Sequence, residues 1–197
     1  VNEISVFAMS ETGLQQVENP SAIFLSNQAK PSPGSMVMVT REATRPLMVE
    51  VQALVDQAGG NPKRVSVGLE QNRLALQLAV LHKHGGVATH DQDVFVNVVG
   101  GIKVNETASD LVVMLAIMSS LRDKVIPNDW ISFGEVGLTG EVRPVYNAIE
   151  RLSEAQKHGF KVAIIPKANL PKKPLKGLKI VPVEYLHQAL QYMSENI

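Results

Sequence analysis

Two stretches of this 197-residue chain hold residues whose types and order could do chemistry. The first is Val98-Val99-Gly100-Gly101-Ile102-Lys103-Val104-Asn105-Glu106-Thr107-Ala108-Ser109-Asp110, where an apolar run passes through two glycines into a cluster of hydroxyls and carboxylates. A hydroxyl becomes a nucleophile only with a base to take its proton, and backbone N–H groups at a helix start can hold the oxyanion that follows. The same residues have a purely structural reading, in which Thr107 or Ser109 caps the helix and Asp110 complements its dipole. The second stretch, residues 130–155, reads as a strand, a glycine-punctuated hairpin around Gly134, Gly137 and Gly140, and a helix.

The elements that must position these residues follow from periodicity. Residues 4–9 alternate as a half-buried strand does, and 35–40 and 47–55 are two more strands. The proline-rich turn 27–34 joins the first two, and Gly59-Gly60-Asn61-Pro62 breaks the chain before a short strand over 64–67. Leu74, Leu78 and Leu81 repeat at helical spacing over 70–84, and Gly85-Gly86 ends that helix. Residues 94–99 are a nearly unbroken apolar strand, the pattern of a central position covered on both faces. Residues 107–121 form a helix apolar on nearly every side, which must be buried. Asn147 is placed to cap the next helix with Glu150 three residues on, and Gly159 follows Lys157-His158 as a left-handed stop. A strand over 162–165, a shorter one over 179–183, and a helix with Tyr185, Leu186, Ala189, Leu190 and Met193 on one face complete the chain. Strands alternating with helices of this length give an α/β sandwich of mixed sheets. No repeat and no linker divides residues 1–197, so one domain is the expected organisation.

Composition narrows the function. There is no cysteine, which excludes disulfides, thiolate zinc sites and cysteine nucleophiles and fits a reducing cytoplasm. No apolar run reaches the ~18 residues of a membrane span, so no membrane partner is expected. The chain starts on Val1 without an initiator methionine, as a fragment of a longer protein would. Net charge is zero, yet Lys/Arg and Asp/Glu number 10 and 15 over residues 1–142, 9 and 2 over 143–179, and 0 and 2 over 180–197. Such a basic segment is either a polyanion-facing surface or a solvated loop around Pro171-Lys172-Lys173-Pro174. His82 and His84, with His90, Asp91 and Asp93 near in sequence, do not make a metal site, because residues two apart on a helix do not share a face. Trp130 and the three tyrosines are too scattered for a base-stacking platform.

The spacing of Gly134-Glu135, Gly140, Val142 and Pro144 resembles the second half of the Lon-type peptidase active site. That resemblance puts Ser109 at the nucleophile's position and Arg151 where the peptidases carry their catalytic lysine. A guanidinium with a pKa above ~12 has no route to act as a general base near neutral pH. The residues flanking Ser109, Asn105-Glu106-Thr107-Ala108 and Asp110-Leu111, also depart from the peptidase pattern. Lys103, the nearest other amine, lies on the loop before Ser109 and not on the facing helix.

Longer runs are more specific. Asn19-Pro20-Ser21-Ala22-Ile23-Phe24-Leu25, Thr44-Arg45-Pro46-Leu47, Val49-Glu50-Val51-Gln52-Ala53-Leu54-Val55, Arg64 with Val67-Gly68-Leu69-Glu70-Gln71-Asn72-Arg73-Leu74, and Asp91-Gln92-Asp93-Val94-Phe95-Val96-Asn97-Val98-Val99-Gly100-Gly101 resemble the C-terminal domain of the bacterial RadA (Sms) family of DNA repair and recombination proteins. The resemblance covers essentially the whole chain. It implies a ribosomal-protein-S5-domain-2-like, Lon-protease-like fold. It also implies a parent protein with a zinc finger and a RecA-like ATPase, which would bind zinc and ATP with magnesium. No Cys-x-x-Cys and no phosphate-binding loop motif occurs here, so no cofactor is assigned to this chain. The implied role is a catalytically inactive, hexamer-forming scaffold with accessory, sequence-independent DNA binding, in a protein that drives branch migration alongside a recombinase. Arg45, Lys63, Arg64, Arg73 and Arg143, with Lys172 and Lys173, are the candidate contacts to phosphates or to a neighbouring subunit's carboxylates. An active serine peptidase and a pure protein–protein interaction module are the alternatives.

Overall fold

The computed structural model describes Ser5, residues 7–16 and residues 30–197. The run Asn19 to Leu25, the head of the turn over 27–34, and Ile4 and Val6 of the strand expected over 4–9 lie outside the described residues. In chain order the elements are β1 (Phe7–Ser10), β2 (Gly13–Gln16), β3 (Ser35–Glu42), β4 (Arg45–Gln57), β5 (Arg64–Val67), α1 (Gln71–Gly85), β6 (Gln92–Val98), α2 (Asp110–Arg122), β7 (Trp130–Ser132), β8 (Glu135–Val136), β9 (Val142–Arg143), α3 (Ala148–Lys157), β10 (Val162–Pro166), β11 (Lys179–Val183) and α4 (Leu186–Asn196). Seven strands form one mixed sheet in the order β11-β10-β7-β3-β4-β6-β5, giving the expected α/β fold. β3, β7, β10 and β11 run parallel, β4 is antiparallel to both β3 and β6, and β5 is parallel to β6.

The two-residue period of a strand divides the core into two layers. Met36 and Met38 of β3, Val49 and Val51 of β4, and Ile164 of β10 face α1, α2 and α4. Val37, Val39, Met48, Ile131, Ala163 and Ile165 face α3 through Ala148, Leu152 and Ala155. Helix α2 is buried over Asp110 to Ser119, as its unbroken apolar sequence requires. Each of its enclosed Leu, Val, Ile and Met side chains contributes about 1.5–3 kcal/mol by leaving water. Among the described residues no helix is long and apolar enough to cross a membrane.

Four expectations are corrected. The first strand is not half-buried: β1 and β2 pair as a hairpin on which Phe7, Met9 and Leu14 are exposed, because no other described element packs against it. β6 is not central or doubly covered. It lies next to the sheet edge, with Val94, Val96 and Val98 buried on one face and Phe95 and Asn97 turned to the open one. Asn147 does not cap α3 through its side chain, because it sits in the left-handed region at φ 59°, from which the side chain makes no bond to the first turn. Tyr185 is exposed and precedes α4, whose inner face is Leu186, Ala189, Leu190 and Met193. Gly159, by contrast, takes the expected left-handed conformation after α3.

Candidate functional site

A 3-10 turn over Thr107–Ser109 leads into α2, and it decides what Ser109 can do. Ser109 is 3% exposed, and its hydroxyl donates to the Glu106 carbonyl at 2.9 Å. The amides that would form an oxyanion site are engaged within the protein. Ser109 N–H donates to Glu106 O, Asp110 N–H to Thr107 O, and Leu111 N–H to Gly134 O at 3.0 Å. Gly134 N–H in turn donates to Ala108 O at 2.8 Å, so the strand end after β7 and the helix start are laced together. The expected capping by Thr107 or Ser109 is not found: α2 has no side-chain cap, and the Thr107 hydroxyl donates to the Glu135 carboxylate on β8.

Arg151 lies on the buried face of α3, 2% exposed. Its Nη1 and Nη2 donate to Glu106 Oε1 at 2.6 Å and Oε2 at 2.8 Å, Nη1 also donates to Val39 O at 2.8 Å, and Nε donates to Tyr146 O at 2.9 Å. The guanidinium also lies 5.8 Å from the Phe133 ring centroid. Thr40 Oγ1 adds a donor to Glu106 Oε1 at 2.9 Å. The nucleophile and lysine positions implied by the peptidase resemblance therefore converge on one residue, Glu106, which accepts from Ser109 through its backbone and from Arg151 through its carboxylate. This arrangement provides charge pairing and anchorage. It offers Ser109 no neutral amine to receive a proton.

Asp110 is a second hub, although its place in the sequence suggests only a dipole role. Its carboxylate is buried and accepts from Arg73 Nε at 2.7 Å, Arg73 Nη2 at 2.5 Å, Gln77 Nε2 at 2.9 Å and Val136 N–H at 3.0 Å. The hydrogen bond to Asp110 holds the Arg73 guanidinium above its ordinary pKa, against the opposing effect of burial. A signal is present in the sequence: one carboxylate in an otherwise apolar helix, and Arg73 and Gln77 four apart on another helix, where they share a face. Between the hubs, a cleft of about 380 Å³ is lined by Glu70, Arg73, Lys103, Glu106, Thr107 and Ser109, among others. Lys103 is exposed at its rim, while the Ser109 hydroxyl is turned to the Glu106 carbonyl.

The candidate cations differ in how far the fold engages them. Arg73 is committed to Asp110. Arg64 donates to the carbonyls of Lys63, Gln92 and Thr89, the last at 2.8 Å, so its guanidinium braces the turn before β6. Arg45 is half-buried at the start of β4. Arg143 is exposed and 3.9 Å from Glu135. Lys63, Lys172 and Lys173 are exposed.

A family model described as subunit ChlI of Mg-chelatase matches residues 55–169, more than half of the chain and a span that includes both Ser109 and Arg151. Proteins named DNA repair protein RadA match nearly all of it: that of Salmonella typhimurium is 60% identical over 196 residues, 99% of this chain. The chain belongs to the ChlI family and is a relative of the RadA proteins. The RadA of Aquifex aeolicus is 46% identical over 192 residues, 97% of this chain, and that of Bacillus subtilis is 45% identical over 194 residues, 96% of it. The chain spans 43% of the length of the Salmonella and Aquifex relatives and 42% of that from Bacillus.

Proposed function

We propose that this chain is the catalytically silent, Lon-like scaffold part of an ATP-dependent DNA repair protein, holding copies in a hexamer and adding sequence-independent DNA contacts. The observation that carries the reading is the bidentate Arg151–Glu106 pair at the position where a peptidase would need an amine. The names and near-complete coverage of the RadA relatives support the repair context. ATP, magnesium and zinc are then matters for the rest of the longer protein, whose cytoplasmic work is branch migration together with a recombinase. Residues 1–197 act as one domain in this reading. Of the candidate cations, Arg45, Lys63, Arg143, Lys172 and Lys173 are left for phosphates, because Arg64 and Arg73 are held within the fold.

The test is direct. The chain should release no peptides from unfolded casein, and a serine-directed covalent probe should leave Ser109 unlabelled. Labelling that disappears in Ser109→Ala would overturn the silent-scaffold reading in favour of the peptidase. Mass in solution, with and without duplex DNA, separates a DNA-contacting scaffold from a module that binds only protein.

A further inference from the structure

The cleft between the Glu106 and Asp110 hubs plays no part in the scaffold reading. At about 380 Å³ it falls within the range of about 300–1,000 Å³ that ligand sites occupy. One wall presents a fixed guanidinium. Arg73 spends Nε and Nη2 on the buried Asp110 carboxylate, which Gln77 Nε2 and Val136 N–H hold in turn. No described residue bonds the remaining nitrogen, Nη1. Another wall carries Lys103, whose ammonium enters no ion pair among the described residues.

The backbone of that second wall is open as well. The chain is extended at Ile102 (φ −73°, ψ 146°) and at Glu106 (φ −122°, ψ 145°), and between them buried Val104 donates its N–H to the Gly68 carbonyl at 2.7 Å. Lys103 and Asn105, on either side of Val104, are exposed, and no described residue bonds the N–H or the carbonyl of either. The nearby edge strand β5 is closed by contrast. There the Gln71 side chain accepts from Ser66 N–H at 2.8 Å and donates to the Arg64 carbonyl at 2.7 Å. Extended backbone with unpaired groups is a template for another extended segment. Charge decides which kind of segment fits. Glu106 is paired with Arg151 and Arg73 with Asp110, while Lys103 and exposed Glu70 enter no ion pair among the described residues. Walls of both signs disfavour a nucleic-acid strand, whose phosphates call for a uniformly basic groove. They suit a peptide, whose N–H and carbonyl groups meet both signs, and the cations Arg73 and Lys103 select a carboxylate on it.

We propose that this cleft binds an extended, acidic segment of a partner protein. The segment's backbone pairs with Lys103 and Asn105, and one of its carboxylates sits between the Arg73 guanidinium and the Lys103 ammonium. The Ser109 hydroxyl takes no part, because it is turned to the Glu106 carbonyl. Such binding is independent of how copies assemble, so it goes beyond the scaffold reading and does not fall with it.

The probe is a fluorescein-labelled octapeptide of alternating glutamate and valine, read by anisotropy against the 197-residue chain, with the glutamine–valine peptide as its neutral counterpart. The glutamate peptide should bind at least tenfold more tightly, and in amide NMR spectra it should shift the signals of Lys103 and Asn105. Lys103→Glu should abolish the preference without changing the melting curve, since that side chain is exposed and unpaired, while Lys103→Arg should keep it. Lys172→Ala with Lys173→Ala should bind the peptide as the native chain does. Absence of binding, equal affinity for the two peptides, a preference that survives Lys103→Glu, or one lost equally in the Lys172 and Lys173 variant overturns the proposal. A single-stranded oligonucleotide that displaces the peptide in a Lys103-dependent way would make the cleft a phosphate site and overturn it too.

Discussion

Arg151 makes four hydrogen bonds from a nearly inaccessible position, so its replacements should separate shape from charge. Arg151→Met leaves Glu106 half-buried without its cation and removes the guanidinium donors from the Val39 and Tyr146 carbonyls; we expect destabilisation by about 3 kcal/mol, read from the urea midpoint at constant slope. Arg151→Lys keeps the charge but not the planar fork, and should lose roughly half as much. It should also leave casein intact, because Ser109 and the amides of α2 remain engaged. A lysine variant as stable as the native chain would contradict the account of the pair. Motif spacing makes the positions of Ser109 and Arg151 legible in the sequence. Their partner Glu106 is not, because a carboxylate on a loop declares no partner until β3 and α3 are brought beside it. Arg64 and Arg73 look like surface cations for a similar reason: apart from the adjacent Lys63 carbonyl, their acceptors lie 25 or more residues away in the chain.

Helices and buried strands are legible where a periodic pattern and a stop coincide, as in α1 with Gly86 and in β10 with its unbroken apolar run. β6 misleads because an apolar run reports only side-chain type, and Phe95 spends its surface on the open face. Asn147 misleads because an Asn that tolerates the left-handed region can turn the chain into a helix without capping it. Gly34 shows how an element start can depend on one residue. Its φ is +92°, its N–H donates to Ser119 Oγ at 2.8 Å, and a Cβ there would stand 2.2 Å from the Ala53 carbonyl oxygen. Gly34→Ala should thus force β3 away from β4 and cost upwards of about 2 kcal/mol, seen as a drop in melting temperature. An unchanged melt would mean that this close approach is not required.

At the scale of the whole molecule, the mixed α/β class is legible from the alternation of elements, but the strand order is not, since β5 and β11 reach the sheet edges through long-range pairing. The uneven charge along the chain is visible in the sequence, yet that Lys172 and Lys173 stand exposed on the loop between β10 and β11 needs the fold. That loop should engage duplex DNA through phosphates. Lys172→Ala with Lys173→Ala should weaken binding evenly across sequences and reduce the log–log salt slope by ~0.9 for each phosphate no longer neutralised, with no change in melting temperature. An unchanged affinity and slope would leave the loop a solvated face and move the DNA contacts to Arg45, Lys63 and Arg143.

The pair of Glu106 and Arg151 also has a bearing on how this sequence can drift. Each partner shields the other: exchanging the arginine alone strands a carboxylate, and exchanging the glutamate alone strands a guanidinium beside Phe133. Every single step away from the pair passes through a weakened protein, while the paired state is self-consistent. The arrangement is in effect a mutational ratchet. An amine at position 151 would have to arrive together with a remodelled loop, so no single substitution leads readily from this pair to a lysine.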